Sequence, residues 1–491
     1  MTQQREKAKS SPATQPSRTM AGQRALVLGA GLSGLAAARL LKALGAEVMV
    51  SDRKDPSEIS AAGELLSLGA ALVGEEEAED KISSLTLLVL SPGVSVNHPL
   101  AERARDKGLL VIGEMELGFR GLGVPILAVT GSNGKTTTTS LTGHILEKQG
   151  LSVFVGGNIG NPLSSLALNL LKGEKKPDYA VLEVSSFQLE AAPTFRALAA
   201  AFLNLTPDHL DRHGSLEGYL KAKSLLIEAL GPEGRAILNF DDPMVRDLPS
   251  KAKIYGFSRL TRPLLGAYAD GLSVMAVDGD KILASREWKD FSLEGGHNQE
   301  NVMAAVLLAG AAGAEPEKAL NSAALFAPGD HRLETVGIFG GVRWIDDSKG
   351  TNVGAVAAAL EAVKEKVVLI MGGRDKDLDF GYLAPYVRKK VKKLVLIGEC
   401  REKIAQSLGK DAPYVMAESM REAVRISKEA AESGEAVLLS PAAASFDMFK
   451  DYKERGEAFR REAVRQAEEE GEILAKLGLK DRREEEGEGK R

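Results

Sequence analysis

Apolar runs of strand length recur along the chain, and longer stretches with apolar positions at helical spacing follow most of them. ALVLGAG, AEVMVSD, LTLLVLSPG and LLVIG form a first block. VPILAVTG, DYAVLEVSSF, AAAFLNL and RAILNF form a second, which closes on the apolar helix ENVMAAVLLAGAAG. VRWIDD, KVVLIMGG, KKLVLIGE and EAVLLSP form a third. Alternation of this kind predicts an α/β protein with largely parallel sheets. Three domains are expected, over residues 21–113, 114–328 and 329–470. Residues 1–20 read as a disordered tail, and residues 471–491, ending DRREEEGEGKR, as a charged, solvated one.

The length of 491 residues agrees with about three cores. No apolar run is long enough to span a bilayer, and the polar first twenty residues lack the apolar segment of a secretory signal, so no membrane insertion is expected. A single cysteine, Cys400, excludes an intramolecular disulfide framework and suits a reducing cytoplasm. The net charge of −5, without a basic stripe, gives no reason to expect nucleic acid as a partner.

Two glycine-rich turns carry the chemistry. Gly29, Gly31 and Gly34 form a G-x-G-x-x-G turn between an apolar run and an alanine-rich helix, with Asp52 closing the next run. By itself this is a dinucleotide fingerprint, open to NAD, FAD or another nucleotide diphosphate. The second turn, Gly131-Ser132-Asn133-Gly134-Lys135-Thr136-Thr137, follows PILAV and opens a helix. A helix N-terminus offers unpaired N–H groups to phosphate oxygens, Lys135 can reach the terminal phosphates, and the Thr136 hydroxyl suits Mg²⁺. The usual first glycine of the motif is Val129 here. Glu183 ends the run DYAVLE, where a carboxylate can hold the same ion. The loop Thr206-Pro207-Asp208-His209-Leu210-Asp211-Arg212-His213-Gly214 matches no zinc spacing and reads as a polar loop with one or two ligands for a hard cation.

GSNGKTTTT, Gly156-Gly157-Asn158-Ile159-Gly160, LEVSSFQLE, TPDHLDRHGS with YLKAKSLL, HNQEN, HRLE and WIDDSKGTN occur in one order. That order resembles the Mur ligases, ATP-dependent amino-acid ligases of peptidoglycan precursor synthesis, from Ala25 to about Phe459. GAGLSG, LSPGV and SPAAASFDMFKDYKERGEAF are most similar to the branch that adds D-glutamate to UDP-N-acetylmuramoyl-L-alanine. The resemblance implies an N-terminal Rossmann-like domain for the UDP substrate, a central P-loop ATPase-like domain, and a C-terminal Rossmann-like domain for the amino acid. ATP and Mg²⁺ are the implied cofactors, an acyl phosphate the implied intermediate, and a cytoplasmic monomer the implied form.

Carried over residue by residue, the resemblance puts Thr136, Glu183, His209 and Lys223 around magnesium, with Lys223 carbamylated, and makes Lys135, Glu183, His209 and Lys223 catalytic. Asn301, Arg332 and Asp347 are implied to hold ATP from the base and sugar side. Leu32 and Ser33 fall near the UDP diphosphate, Asp52 near the uridine, and Gly93, Asn158, Ser185 and Gln188 along the same substrate. D-glutamate is implied to contact Lys349, Thr351, Lys376, Ser445 and Tyr452. Ala444 stands where a cysteine is common in the family, a packing change, and the basic pair Arg53-Lys54 receives no role. With nucleotide and amino acid on different domains, closure of the third domain is expected to shield the acyl phosphate from water.

Three other readings compete. Another Mur or folylpolyglutamate-type ligase would use a different amino acid, and a folate-type enzyme would have no UDP domain ahead of its phosphate loop. A dinucleotide-dependent oxidoreductase would need a nicotinamide or flavin pocket and would leave GSNGKT idle. A regulatory P-loop module would leave the third domain without a role.

Overall fold

The computed structural model describes residues 19–327 and 329–476. Most of the expected N-terminal tail lies outside them. Of the expected C-terminal tail only 471–476 are described, as the end of a helix that starts at Tyr452. The described residues fall into two compact units. One contains residues 19–205, 217–290 and 300–326. The other contains residues 206–216 and 291–299 and the chain from 327 onward.

The first unit holds two sheets. β1 (Arg24–Leu28), β2 (Glu47–Ser51), β3 (Ala71–Val73), β4 (Leu87–Leu90) and β5 (Leu110–Gly113) pair in the order β3-β2-β1-β4-β5. Every pairing is parallel. Ala25, Leu26 and Val27 on β1 and Leu88 and Val89 on β4 have no exposure, as a sheet covered on both faces requires. The second sheet is built from β6 (Ile126–Thr130), β7 (Val153–Gly157), β8 (Tyr179–Glu183), β9 (Ala199–Phe202), β10 (Arg235–Asn239), β11 (Lys253–Ser258), β12 (Leu265–Ala269), β13 (Ser273–Asp278) and β14 (Lys281–Glu287). Its order is β14-β13-β12-β11-β10-β9-β6-β8-β7. This sheet is largely parallel, as expected, with an antiparallel pair of strands added at one edge. Pairing is parallel from β7 to β12, but β13 and β14 return antiparallel, because the tight turns between them leave no room for a crossover helix.

The two sheets are joined through the helix Glu114–Phe119, which packs on the helix Leu163–Leu171. A Cβ at Gly118 would stand 2.7 Å from the Leu163 and Ser164 backbone, so only glycine allows this approach. Glu114 is buried there and accepts a 2.7 Å hydrogen bond from the Ser164 N–H.

The second unit carries β15 (Glu334–Phe339), β16 (Val342–Asp346), β17 (Val367–Gly372), β18 (Val391–Ile397), β19 (Tyr414–Met416) and β20 (Ala436–Leu439). The order is β15-β16-β20-β17-β18-β19, with only the edge strand β15 antiparallel. Leu369, Leu394 and Leu438 fill one face and Trp344, Val368 and Phe459 the other.

Candidate active site

The N-terminal glycine turn is built for close packing at two of its three glycines. Gly29 has φ +92°, and a Cβ there would meet the Ser91 side chain at 2.8 Å. At Gly34 a Cβ would fall 1.8 Å from the Gly29 carbonyl oxygen, which is what brings the helix Leu32–Ala43 onto β1. Gly31 faces open space, and Leu32 beside it is largely exposed at the helix start. Ser33 is partly exposed, and Gly93 is exposed with no atom near its Cβ position. Asp52 accepts from the Ala30 N–H at 2.7 Å and from the Lys54 N–H at 3.0 Å. Its carboxylate therefore braces the glycine turn, and the Ala30 amide is already committed.

The phosphate loop lies between β6 and the helix Lys135–Lys148. Its shape depends on Gly131 (φ +149°) and Gly134 (φ +82°), backbone conformations that glycine adopts without strain. Asn204, a residue the sequence reading passed over, ties the loop down. Its carbonyl accepts from the Ser132 N–H at 2.9 Å, and its Oδ1 accepts from the Asn133 N–H at 2.8 Å. The signal for it is its place just after β9, the neighbour of β6. Lys135 folds back over the loop, its Nζ donating to the carbonyls of Gly131 (2.9 Å) and Ser132 (2.8 Å). Asn301 stands at the loop itself: a Cβ on Gly134 would lie 2.2 Å from its Oδ1, which accepts from the Thr138 hydroxyl at 3.2 Å.

Sheet register delivers Glu183 to this loop. Glu183 on β8 pairs with Val129 on β6, one residue before the strand ends, and with Gly157 on β7. Its buried carboxylate accepts from the Thr136 hydroxyl at 2.6 Å and from Asn158 Nδ2 at 2.9 Å. Hydroxyl and carboxylate oxygens are hard donors, the set that suits a magnesium ion. Lys223 is 1% exposed, and its Nζ donates to the Gly131 carbonyl at 2.8 Å. As an ammonium it braces the loop; as a carbamate it would offer oxygen instead. Ser185 and Gln188 form a capping box that starts the short helix Ser186–Glu190. Gln188 Nε2 is buried without a hydrogen-bond partner among the described residues.

The remaining expected residues belong to the second unit. His209 lies on its 206–216 segment and has φ +53°. Its neighbour Asp208, 5% exposed and not singled out from the sequence, accepts from Asn352 Nδ2 at 3.1 Å and lies 3.7 Å from Lys376 Nζ. The other residues gather at the carboxyl edge of three adjacent strands, since β16 and β17 both pair with β20. Asp347, Lys349 and Thr351 follow β16, Lys376 follows β17, and Ser445 follows β20. Arg332 lies two residues before β15, in the short segment leading into that strand.

Two features shape the charge at this edge. Lys349 Nζ lies 3.8 Å above the ring of Tyr452, within cation–π range. Asp347 accepts from the Ser440 hydroxyl at 2.7 Å and the Leu333 N–H at 3.3 Å. Burial pushes its carboxyl up to about 7, with the Ser440 bond and the Arg332 charge opposing.

Three family models match in chain order: the MurD-like N-terminal domain over residues 23–113, the Mur ligase middle domain over 129–309, and the Mur ligase glutamate ligase domain over 331–443. A UDP-N-acetylmuramoylalanine–D-glutamate ligase of Syntrophus aciditrophicus is 42% identical over 450 residues, covering 90% of this chain and 98% of the relative. One from Caldanaerobacter subterraneus is 40% identical over 447 residues, covering 89% and 97%. Among solved structures, a MurF ligase from Thermotoga maritima in complex with ADP aligns with a TM-score of 0.59 at 18% identity, covering 86% of this chain and 96% of that one. A pseudomurein peptide ligase type C from Methanothermus fervidus aligns at 0.58 and 18%, covering 90% and 100%. With three parallel-stranded α/β domains in that order and such identity along nearly its whole length, the chain belongs to the Mur ligase family.

Proposed function

We infer that this chain joins D-glutamate to UDP-N-acetylmuramoyl-L-alanine with cleavage of ATP, in the making of peptidoglycan precursor. The observation that carries this reading is the 42% identity, over 90% of the chain, to a ligase named for that reaction. The reading takes residues 21–113 as the UDP-substrate domain, 114–328 as the ATP domain and 329–470 as the amino-acid domain, in a cytoplasmic monomer.

The chemistry required is removal of a carboxylate oxygen, a poor leaving group. The L-alanyl carboxylate attacks the γ-phosphorus of ATP, giving an acyl phosphate and ADP. The amine of D-glutamate then adds to the acyl carbon, and a proton and inorganic phosphate leave as the amide forms. Phosphoryl transfer of this kind depends on positioning and on neutralised charge more than on covalent help. Bound Mg²⁺ supplies a Lewis acid that draws charge from the phosphate oxygens. Thr136 and Glu183 would hold it, and His209 and a carbamylated Lys223 would complete the set. The Lys135 ammonium leaves the loop carbonyls for the terminal phosphates, which offer it full negative charge in their place. Gln188 Nε2, buried and without a hydrogen-bond partner among the described residues, donates to the UDP substrate, which Leu32, Ser33, Asp52, Gly93, Asn158 and Ser185 also line. Asn301, Arg332 and Asp347 hold the nucleotide. In the C-terminal domain Lys376 neutralises a carboxylate of D-glutamate, and Lys349, Thr351, Ser445 and Tyr452 fix its orientation.

The test is phosphate release from ATP with UDP-N-acetylmuramoyl-L-alanine while the amino acid is varied. D-glutamate should support turnover at least tenfold above L-glutamate, L-alanine or a diamino acid, since a site built to bond one stereoisomer leaves polar groups unpaired with the others. Equal release with all four would remove the D-glutamate assignment.

A further inference from the structure

Five side chains read for the amino acid stand on three separate loops and one helix start, and a single buried guanidinium touches the backbone of each loop. Arg455, 1% exposed on the helix Tyr452–Lys476, donates from Nη2 to the Ser348 carbonyl at 2.9 Å and from Nε to the Ser348 hydroxyl at 3.1 Å. Its Nη1 donates to the Ala443 carbonyl at 3.1 Å and lies 3.5 Å from the Gly372 carbonyl. Ser348 precedes Lys349 and Thr351, Gly372 precedes Lys376, and Ala443 precedes Ser445. The Ser348 hydroxyl in turn donates to the Tyr452 carbonyl at 2.7 Å, which closes the set on the helix start.

The surroundings are shaped for this side chain. A Cβ on Gly373 would lie 2.1 Å from the Ala444 carbonyl and 3.2 Å from Arg455 Nη1. A Cβ on Gly456 would lie 2.2 Å from Nδ1 of His331, which is bonded to Asp346 at 2.7 Å. Burial lowers the Arg455 guanidinium to about 10, with Asp447 and Asp346 opposing, so it stays charged at neutral pH. A planar fork with five donors can serve several carbonyls at once; an ammonium cannot.

We propose that Arg455 is the positioning residue of the amino-acid site, holding the loops after β16, β17 and β20 in register so that Lys349, Thr351, Lys376, Ser445 and Tyr452 converge on one ligand. The proposal rests on the reading of those five residues as the D-glutamate site. Neither the apolar pattern nor the spacing of the motifs singles Arg455 out.

Steady-state kinetics of the full chain test it, with Arg455→Lys, the milder Ser348→Ala and, separately, Lys376→Ala. Loss of folded enzyme lowers turnover but leaves every KM in place, so the KM values separate positioning from simple stability. Arg455→Lys should raise the KM for D-glutamate on the order of tenfold or more, as misplacement of a binding group does. The KM for UDP-N-acetylmuramoyl-L-alanine should stay within about twofold. Ser348→Ala should move the same constant in the same direction by less, and it serves if the arginine variant does not fold. An unchanged D-glutamate KM in the variants that fold, or an equal rise for both substrates, overturns the proposal. If Lys376→Ala leaves the D-glutamate KM unchanged while Arg455→Lys raises it, the assignment of Lys376 fails and the role of Arg455 stands.

Discussion

Gly134→Ala is the substitution whose consequence the phosphate loop makes most specific. Gly134 has φ +82°, and forcing an L side chain into that region costs about 1–2 kcal/mol. The new Cβ would also lie 2.2 Å from Asn301 Oδ1 and 3.2 Å from Leu203 Cδ1. Asn301 is 3% exposed and has no room to retreat without lengthening its 3.2 Å bond to the Thr138 hydroxyl. Losing that buried bond adds roughly 1–2 kcal/mol. A total near 3 kcal/mol lowers the thermal midpoint of the first unit by about 4–8 °C, and the distorted loop raises the KM for ATP on the order of tenfold. The assay is a double-mutant cycle with Asn301→Ala, read by thermal unfolding and by ATP titration of phosphate release. Removing the Asn301 amide takes away the steric part, so in that background Gly134→Ala should cost only the backbone strain, roughly half as much. If Gly134→Ala costs the same with and without Asn301, the loop is not braced through this contact and the reasoning fails.

Other expectations are as direct. Burial raises Glu114 from 4.5 to about 7, and its Oε2 has no hydrogen-bond partner among the described residues. A carboxyl raised on folding favours the native state below its unfolded pKa and loses that advantage as pH rises to about 7. Glu114→Gln should therefore match the parent near pH 4.5 and exceed it in stability above pH 7, by at most about 3 kcal/mol; a midpoint difference that stays flat from pH 5 to 8 counts against a buried, titrating Glu114. Glu183→Gln keeps the shape of the carboxylate but not its charge, and should lower phosphate release on the order of 100-fold with a thermal midpoint within a few degrees of the parent; activity within threefold would remove Glu183 from the metal set. Gly34→Ala drives a Cβ to 1.8 Å from the Gly29 carbonyl oxygen, so the helix must shift off β1. A loss of about 3 kcal/mol and weaker UDP-substrate binding should follow, checked by thermal unfolding and the substrate KM.

The strands that run buried through each sheet were legible as apolar runs, and so was their parallel pairing, because helical sequence separates them. The short β3 and β19 and the exposed β14, KILASRE, have no such signature; they exist because a neighbour presents a free edge. Lys135, Thr136 and Glu183 could be read from the chain because strand, glycine turn and helix are local features, and a strand end needs only its own residues. Asn204, Asp208, Ser440 and Arg455 could not, because their partners lie on other strands and loops.

The opening glycine turn divides in the same way. Its sequence alone determined a strand-to-helix turn with three glycines, Gly29, Gly31 and Gly34. Only the fold decided that Asp52 spends its carboxylate on the Ala30 amide, and that Gly31 is left facing open space. The physical reason is range: a turn is dictated by residues a few positions apart, whereas the partner of a buried polar group is chosen by whatever the sheet order brings within hydrogen-bond distance.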